Sequence, residues 1–262
     1  MRVWKHQPRV ELVAPAVHAW FETELGSAVL AHEKKLIERS LSNCFGYHLL
    51  QLGIDSDLCF FDDCRVQRCF KAGPLLPSKP GSSSCVPSPF IQCNFEELPF
   101  ESDSLDVVVA HHVAEFASDP HALLRELYRV VVPEGRVVLV GFNPWSLLGA
   151  RMVAGRWKSG SLWRNHWLSV SRMQDWLQLL GFAVERTEYS FHHLPFHRAA
   201  HWSKPDAEWA RHLPGGGVYM ITAIKQVAKF IPVRPLRMRP VSVLSRMPVA
   251  KPSAKQAERE VG

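Results

Sequence analysis

Apolar residues recur along the chain with two periods, and the alternation between them lays out the fold. In 27–44, Leu30, Ile37 and Leu41, with Lys34 among them, fall at helical spacing and predict a helix with one apolar face. The run Tyr47 to Leu52 then predicts a strand that ends at Gly53, where a tight strand-to-helix turn would begin. Residues 54–70 read as one or two short strands, and 72–89, dominated by Pro, Gly and Ser, as a loop. Order resumes at "FIQCN". The almost wholly apolar run Leu105 to Ala110 predicts a strand buried on both faces of a parallel sheet.

A helix follows in "SDPHALLRELYRVV". Ser118 or Asp119 caps it, Pro120 suits its first position, and Leu123, Leu124, Leu127, Tyr128 and Val131 form one face. Pro133-Glu134-Gly135 breaks it, and Arg136 to Gly141 make a further continuous strand. Later, "SRMQDWLQLLGF" predicts a helix closed by Gly181, and "AVERTEY" and "VYMITAIK" two strands that suit a closing antiparallel pair. Strands alternating with helices predict a doubly wound, mostly parallel α/β sheet. The domain is expected over 27–225, after an N-terminal extension at 1–26 and before a tail at 226–262.

Charge separates that tail from the body. Residues 226–262 hold eight basic and two acidic side chains, which accounts for the whole net charge of +6. The tail is basic, proline-bearing and without apolar period, which predicts a disordered, solubilising extension. It lacks the interleaved aromatics that stack on bases, so contact with nucleic acid or anionic lipid is not favoured. With 47% apolar and 21% charged residues, and no apolar run long enough for a membrane span or a secretory leader, a cytoplasmic location is expected. Six cysteines in 262 residues do not suggest a disulfide framework. Cys59, Cys64 and Cys69 are spaced C-x4-C-x4-C without a tight C-x2-C pair, and the pair His197 and His201 encloses no Glu, so no metal is expected.

Residues 90–141 carry a resemblance. "EELPFESDSLDVVV" and "DPHALLRELYRVVVPEGRVVLV" resemble the segments into the fourth strand, and through the next helix to the fifth strand, of the class I S-adenosylmethionine-dependent methyltransferases. Within that class they resemble the type 11, small-molecule group in particular. The resemblance implies a seven-stranded Rossmann-like sheet, S-adenosylmethionine as cofactor and a small-molecule substrate. It implies cofactor contacts at Gly53, Asn94, Phe95 and His111, with Asp55 or Asp63 as the acid for the ribose hydroxyls.

Departures from the family pattern are as informative. Gln51 replaces the usual acid of the first strand, and Asp55 and Asp57 stand where glycines belong. Carboxylates there would repel the cofactor's own carboxylate. Asn94 replaces the Asp beside adenine, a mild change because its carbonyl still accepts from an amino group. The tandem His111-His112 after the fourth strand, with Glu115 one turn on, supplies candidate bases for a substrate hydroxyl or amine. Residues 143–170, rich in Trp and Arg, are expected to form either a lid over substrate or a helical insertion packed on the sheet with its charged face in water, and Asn143-Pro144-Trp145 a turn anchored by its Trp. Two functions follow: a methyltransferase, or a scaffold of that fold that has given up its cofactor.

Overall fold

The computed structural model describes residues 10–62, 64–77, 88–155, 166–193 and 208–226. Contacts divide the chain into Met1–Val227 and Ala228–Gly262. The second unit, which includes nearly all of the basic tail, lies outside the described residues, as do Asp63, Trp157, Trp163, His197 and His201.

Two helices come first, α1 (Val10–Phe21) and α2 (Glu24–Leu41). The sheet strands are β1 (Phe45–Gly53), β2 (Arg65–Gly73), β3 (Phe90–Gln92), β4 (Leu105–His111), β5 (Val131–Phe142), β6 (Phe182–Ser190) and β7 (Val218–Lys225). Between them lie α3 (Val113–Phe116), α4 (Pro120–Val130), α5 (Leu147–Gly155) and α6 (Val170–Leu179). The strand order is β3-β2-β1-β4-β5-β7-β6, with β7 antiparallel to both of its neighbours and the other pairings parallel. This is the doubly wound sheet that the alternation of periods predicts.

Local chemistry sets the helix ends. Thr23 accepts the Gly26 amide at the start of α2, Asp119 accepts the His121 amide ahead of Pro120, and Ser169 begins α6. Gly181 closes α6 at φ +97°, a left-handed conformation that suits glycine. The predicted break at Pro133 is a different feature. Helix α4 already ends at Val130, and 133–135 form a bulge inside β5, where the register to β4 shifts between Leu105 and Val107.

Strand side chains divide between two apolar layers. Leu49, Val107, Val109, Val138 and Val140 face α1 and α2, while Leu50, Leu52, Val108, Ala110 and Leu139 face α4 and α6. Helix α1 lies within the segment read from sequence as an extension, yet Ala14, Val17 and Phe21 are buried in the first layer. The buried face of α2 also differs from the predicted one: it runs through Val29, Glu33, Ile37 and Leu41, with Lys34 partly exposed. Among the described residues no helix joins β1 to β2. The connection runs through turns at Ser56-Asp57 and at Asp62, and it buries Phe60 and Phe61.

Cys59 is disulfide-bonded, which the cysteine spacing does not predict, whereas Cys64 and Cys69 are free thiols with sulfurs 3.3 Å apart. Among the described residues no helix is long and apolar enough to cross a membrane.

Lys225, at the end of β7, is a buried cation with three partners. Its Nζ donates to Asp103 Oδ1 at 2.6 Å, Tyr128 O at 2.7 Å and Val131 O at 2.8 Å, and sits over the Tyr128 ring. Lys225→Met would strand two carbonyls, at about 1–3 kcal/mol each. A urea midpoint lowered by about 3 kcal/mol equivalent is expected; an unchanged midpoint would show that the ammonium contributes nothing.

Candidate active site

In an open α/β sheet the ligand crevice lies beyond the carboxyl ends of the strands, where the strand order reverses. Here that point is the end of β1 beside the end of β4, where Gly53 pairs with His111. The end of β2 is next to it, and Gly73 approaches closely enough that a Cβ there would lie 2.6 Å from the Gly53 carbonyl oxygen.

The loop after β1 is closed. Gly53, Ile54, Asp55 and Ser56 are all buried. Asp55 Oδ1 accepts the Asp57 amide at 3.0 Å, and Oδ2 lies 2.9 Å from Nδ1 of His18 on α1. The Ser56 hydroxyl donates to the Leu75 carbonyl. Gln51, where the family has an acid, braces the loop from within, donating to Leu58 O and accepting the Phe60 amide, both at 3.0 Å. A Cβ on Gly53 would meet only ordinary contacts, so its α-carbon itself is not crowded. The two aspartates in place of glycines thus tie the loop to itself and to α1 instead of presenting bare backbone.

Burial alone would lower the pKa of His18, but the hydrogen bond to Asp55 and the charges of Asp55, Glu22 and Asp57 hold it above 6.5. A raised pKa contributes stability that is complete below 6.5 and is lost as pH rises through the folded value. The seat of α1 should therefore loosen as the solution turns alkaline, read as faster intrinsic-rate-corrected hydrogen exchange at residues 55–58. His18→Gln should abolish that pH dependence. If the variant keeps it, another group holds the helix.

Beneath α1 lies a buried ionic cluster. Glu33 of α2 is 0% exposed, and its two oxygens lie 2.9 Å from Nε2 of His111 and 2.9 Å from Nε2 of His112. His112 Nδ1 is 3.3 Å from Glu115 Oε1, which also accepts the Phe142 amide at 2.7 Å. Successive strand residues point to opposite faces, so two adjacent histidines would not normally meet one carboxylate. His112 does so because it leaves the strand at φ 52°, ψ 25°, a left-handed conformation that costs a non-glycine residue about 1–3 kcal/mol. Burial opposes the charge on Glu33, but the two histidines bring its pKa down to about 2. Burial likewise disfavours a charged His112, yet Glu33 and Glu115 raise its pKa to about 10. His111, without a second carboxylate, is held below 6.5 by burial and by the charge of His112.

The remaining predicted residues sit elsewhere. Asn94 is exposed beside buried Phe95, and both line a cavity of about 330 Å³ with Pro74, Glu96, Ser118 and Glu11 of α1. This cavity opens at the carboxyl ends of β2 and β3, and Glu96 shapes its rim by accepting the Ser118 and Asp119 amides. Strand β2 ends at Gly73-Pro74, so no acid stands at that strand end. Asp62 lies ahead of the amino end of β2 and pairs with Lys34 at 3.1 Å; Asp63, the residue after it, is outside the described residues. Nor is Trp145 an anchor, being 83% exposed; the turn is held by buried Asn143, which donates to Pro214 O and Gly216 O.

Sequence reasoning missed Glu33, His18 and Lys71. For Glu33 a signal was present, since Val29, Glu33, Ile37 and Leu41 form one i, i+4 row. Lys71 is a buried lysine whose pKa burial lowers, against the opposing charges of Asp57, Asp55 and Asp62. No periodic pattern marks it.

Comparison with known proteins agrees with this architecture. The family described as a methyltransferase domain matches residues 77–139. The Escherichia coli protein YafS, an uncharacterized protein, is 30% identical over 221 residues, covering 82% of each chain. Among solved structures, a chain of the Haloferax volcanii complex that contains the Trm112 methyltransferase activator superposes with TM-score 0.60 at 16% identity, over 85% of this chain and 100% of that one. A Thermotoga maritima S-adenosylmethionine-dependent methyltransferase, described as a possible histamine N-methyltransferase, gives 0.58 at 16% identity, over 82% and 97%. With its match to the methyltransferase-domain family over 77–139, its strand order and its relationship to YafS over most of both chains, the chain belongs to the class I S-adenosylmethionine-dependent methyltransferase family, with a departure at the first cofactor motif.

Proposed function

We propose that the chain is an S-adenosylmethionine-dependent methyltransferase of a small organic acceptor, and that it takes up its cofactor from the adenosine end. The carrying observation is the cavity at the carboxyl ends of β2 and β3, where Asn94 and Phe95 lie together. The Asn94 carbonyl accepts from the adenine amino group, Phe95 gives an apolar floor, and Glu96 holds the rim at Ser118. The methionine end does not fit the closed loop, because α1 covers Gly53 to Ser56 and the Asp55 carboxylate occupies the space. Cofactor therefore seats fully only when the end of α1 bearing His18 and Phe21 lifts. When bound, S-adenosylmethionine supplies an electrophilic methyl group, and the protein's task is alignment.

In this reading His111 and His112 position the end of β4 rather than act as bases, since their Nε2 atoms are committed to Glu33. A small acceptor is supported by the body of the chain, where residues 1–225 hold 23 basic and 23 acidic side chains and so offer no net charge to a polyanion. The closed loop also supports a second reading, a scaffold that no longer binds the cofactor.

Isothermal titration of the full chain with S-adenosylmethionine and S-adenosylhomocysteine decides between them. Binding that weakens about tenfold in Asn94→Ala, the worth of one hydrogen bond, is the expected result. Absence of heat with either ligand, in protein folded by circular dichroism and in a variant with α1 loosened, would leave the scaffold.

A further inference from the structure

We infer that Glu33, His111 and His112 form a binding site for one divalent transition-metal ion, zinc by donor type, with Glu115 orienting His112 from behind. The site stands whether or not the cofactor reading holds. One carboxylate oxygen and the two Nε2 atoms lie within 4.8 Å of one another, and each Nε2 is 2.9 Å from a Glu33 oxygen. Zinc bonds of about 2.0–2.2 Å need only a small outward shift of such donors. Two imidazoles and one carboxylate are a set that zinc accepts, whereas magnesium and calcium prefer oxygen throughout.

Three further features fit a metal better than a proton. The first is orientation. His112 turns its other nitrogen to Glu115, the carboxylate–histidine–metal arrangement that fixes tautomer and ring plane, and Glu115 is itself pinned by the Phe142 amide.

The second is charge. Among the described residues, two buried carboxylates, Glu33 and Glu115, have only the two imidazoles as ion-pair partners, and a divalent ion held by neutral rings balances both of them. The third is strain. The left-handed backbone at His112 is what turns both rings onto Glu33, and the rings of Phe21, Phe60 and Phe142 close around them at 3.9–5.8 Å between centroids. Such a shell keeps water out and retains an ion.

The experiment is zinc and cobalt titration of the full, chelator-stripped chain, with metal content after gel filtration and X-ray absorption of the zinc form. One equivalent of zinc retained, release of ~1 proton per ion read calorimetrically in buffers of different ionisation enthalpy, and a shell of two imidazoles with oxygen are expected. Glu33→Gln and His111→Gln should lose the equivalent, and Glu115→Gln should weaken it about 10- to 100-fold. No uptake by folded wild-type chain overturns the site. So does uptake unchanged in Glu33→Gln and His111→Gln, or a sulfur in the wild-type zinc shell. That last readout does not depend on any variant folding.

Discussion

Glu33→Ala is expected to lower the stability of the chain by about 3–5 kcal/mol, the cost of removing one member of a buried ion pair. Among the described residues Glu33 is the one carboxylate that both histidines face, and none of the three is more than 1% exposed. Without it, two imidazole rings 4.4 Å apart keep their buried positions with only Glu115 opposite. The positive charge between them, whether carried by His112 or by an ion, loses its nearer partner. Helix α2 would also lose its ionic tie to the end of β4. Glu33→Gln keeps an oxygen and should cost less. Lys35→Ala, on the exposed face of the same helix, should stay within about 0.5 kcal/mol of wild type. Urea unfolding reads all three, and a Glu33→Ala midpoint equal to that of Lys35→Ala would show that the cluster does not hold the helix.

Phe21→Ala should raise apparent affinity for S-adenosylmethionine by about 10- to 100-fold. Phe21 is 4% exposed and is the side chain of α1 that packs on both His111 and His112. Deleting a buried Phe side chain costs about 3–5 kcal/mol where the surroundings stay in place. Here the loss falls first on the seating of α1, which can lift while the sheet remains. A ligand that binds only the lifted form is weakened by the rarity of that form, so each 1.4 kcal/mol taken from the closed form returns about tenfold in affinity until the lifted form predominates. Faster hydrogen exchange at Gly53 to Leu58 should accompany the gain. Faster exchange with no gain in affinity would mean that α1 is not what limits cofactor access.

These two expectations rest on parts of the molecule that the sequence displays very unequally. The resemblance in 90–141 is legible because it is local: a strand buried on both faces, a capped amphipathic helix and another buried strand each leave a pattern within ten or twenty positions. Asn94 and Phe95 follow from it, and they line a cavity at the carboxyl ends of β2 and β3. The first half is less legible because a helix is missing between β1 and β2. Without it the second strand has no periodic neighbour to mark its start, and the pattern over 54–70 places β2 ahead of its span, Arg65–Gly73. That misplacement directs attention to Asp62, which lies ahead of the strand rather than at its carboxyl end.

The chain's own pattern therefore determined the elements from β4 onward and the mostly parallel sheet, though not α1 or the span of β2, since apolar period and caps are properties of neighbouring residues. Tertiary structure alone decided what those elements do at the switch point. Glu33 reaches histidines 78 and 79 positions away, and His18 reaches Asp55 across 37. Both contacts depend on how α1 and α2 lie on the sheet. Periodicity says that a helix has a buried face; it does not say which buried atoms will meet, and in a dry interior that meeting sets the charge of every group involved.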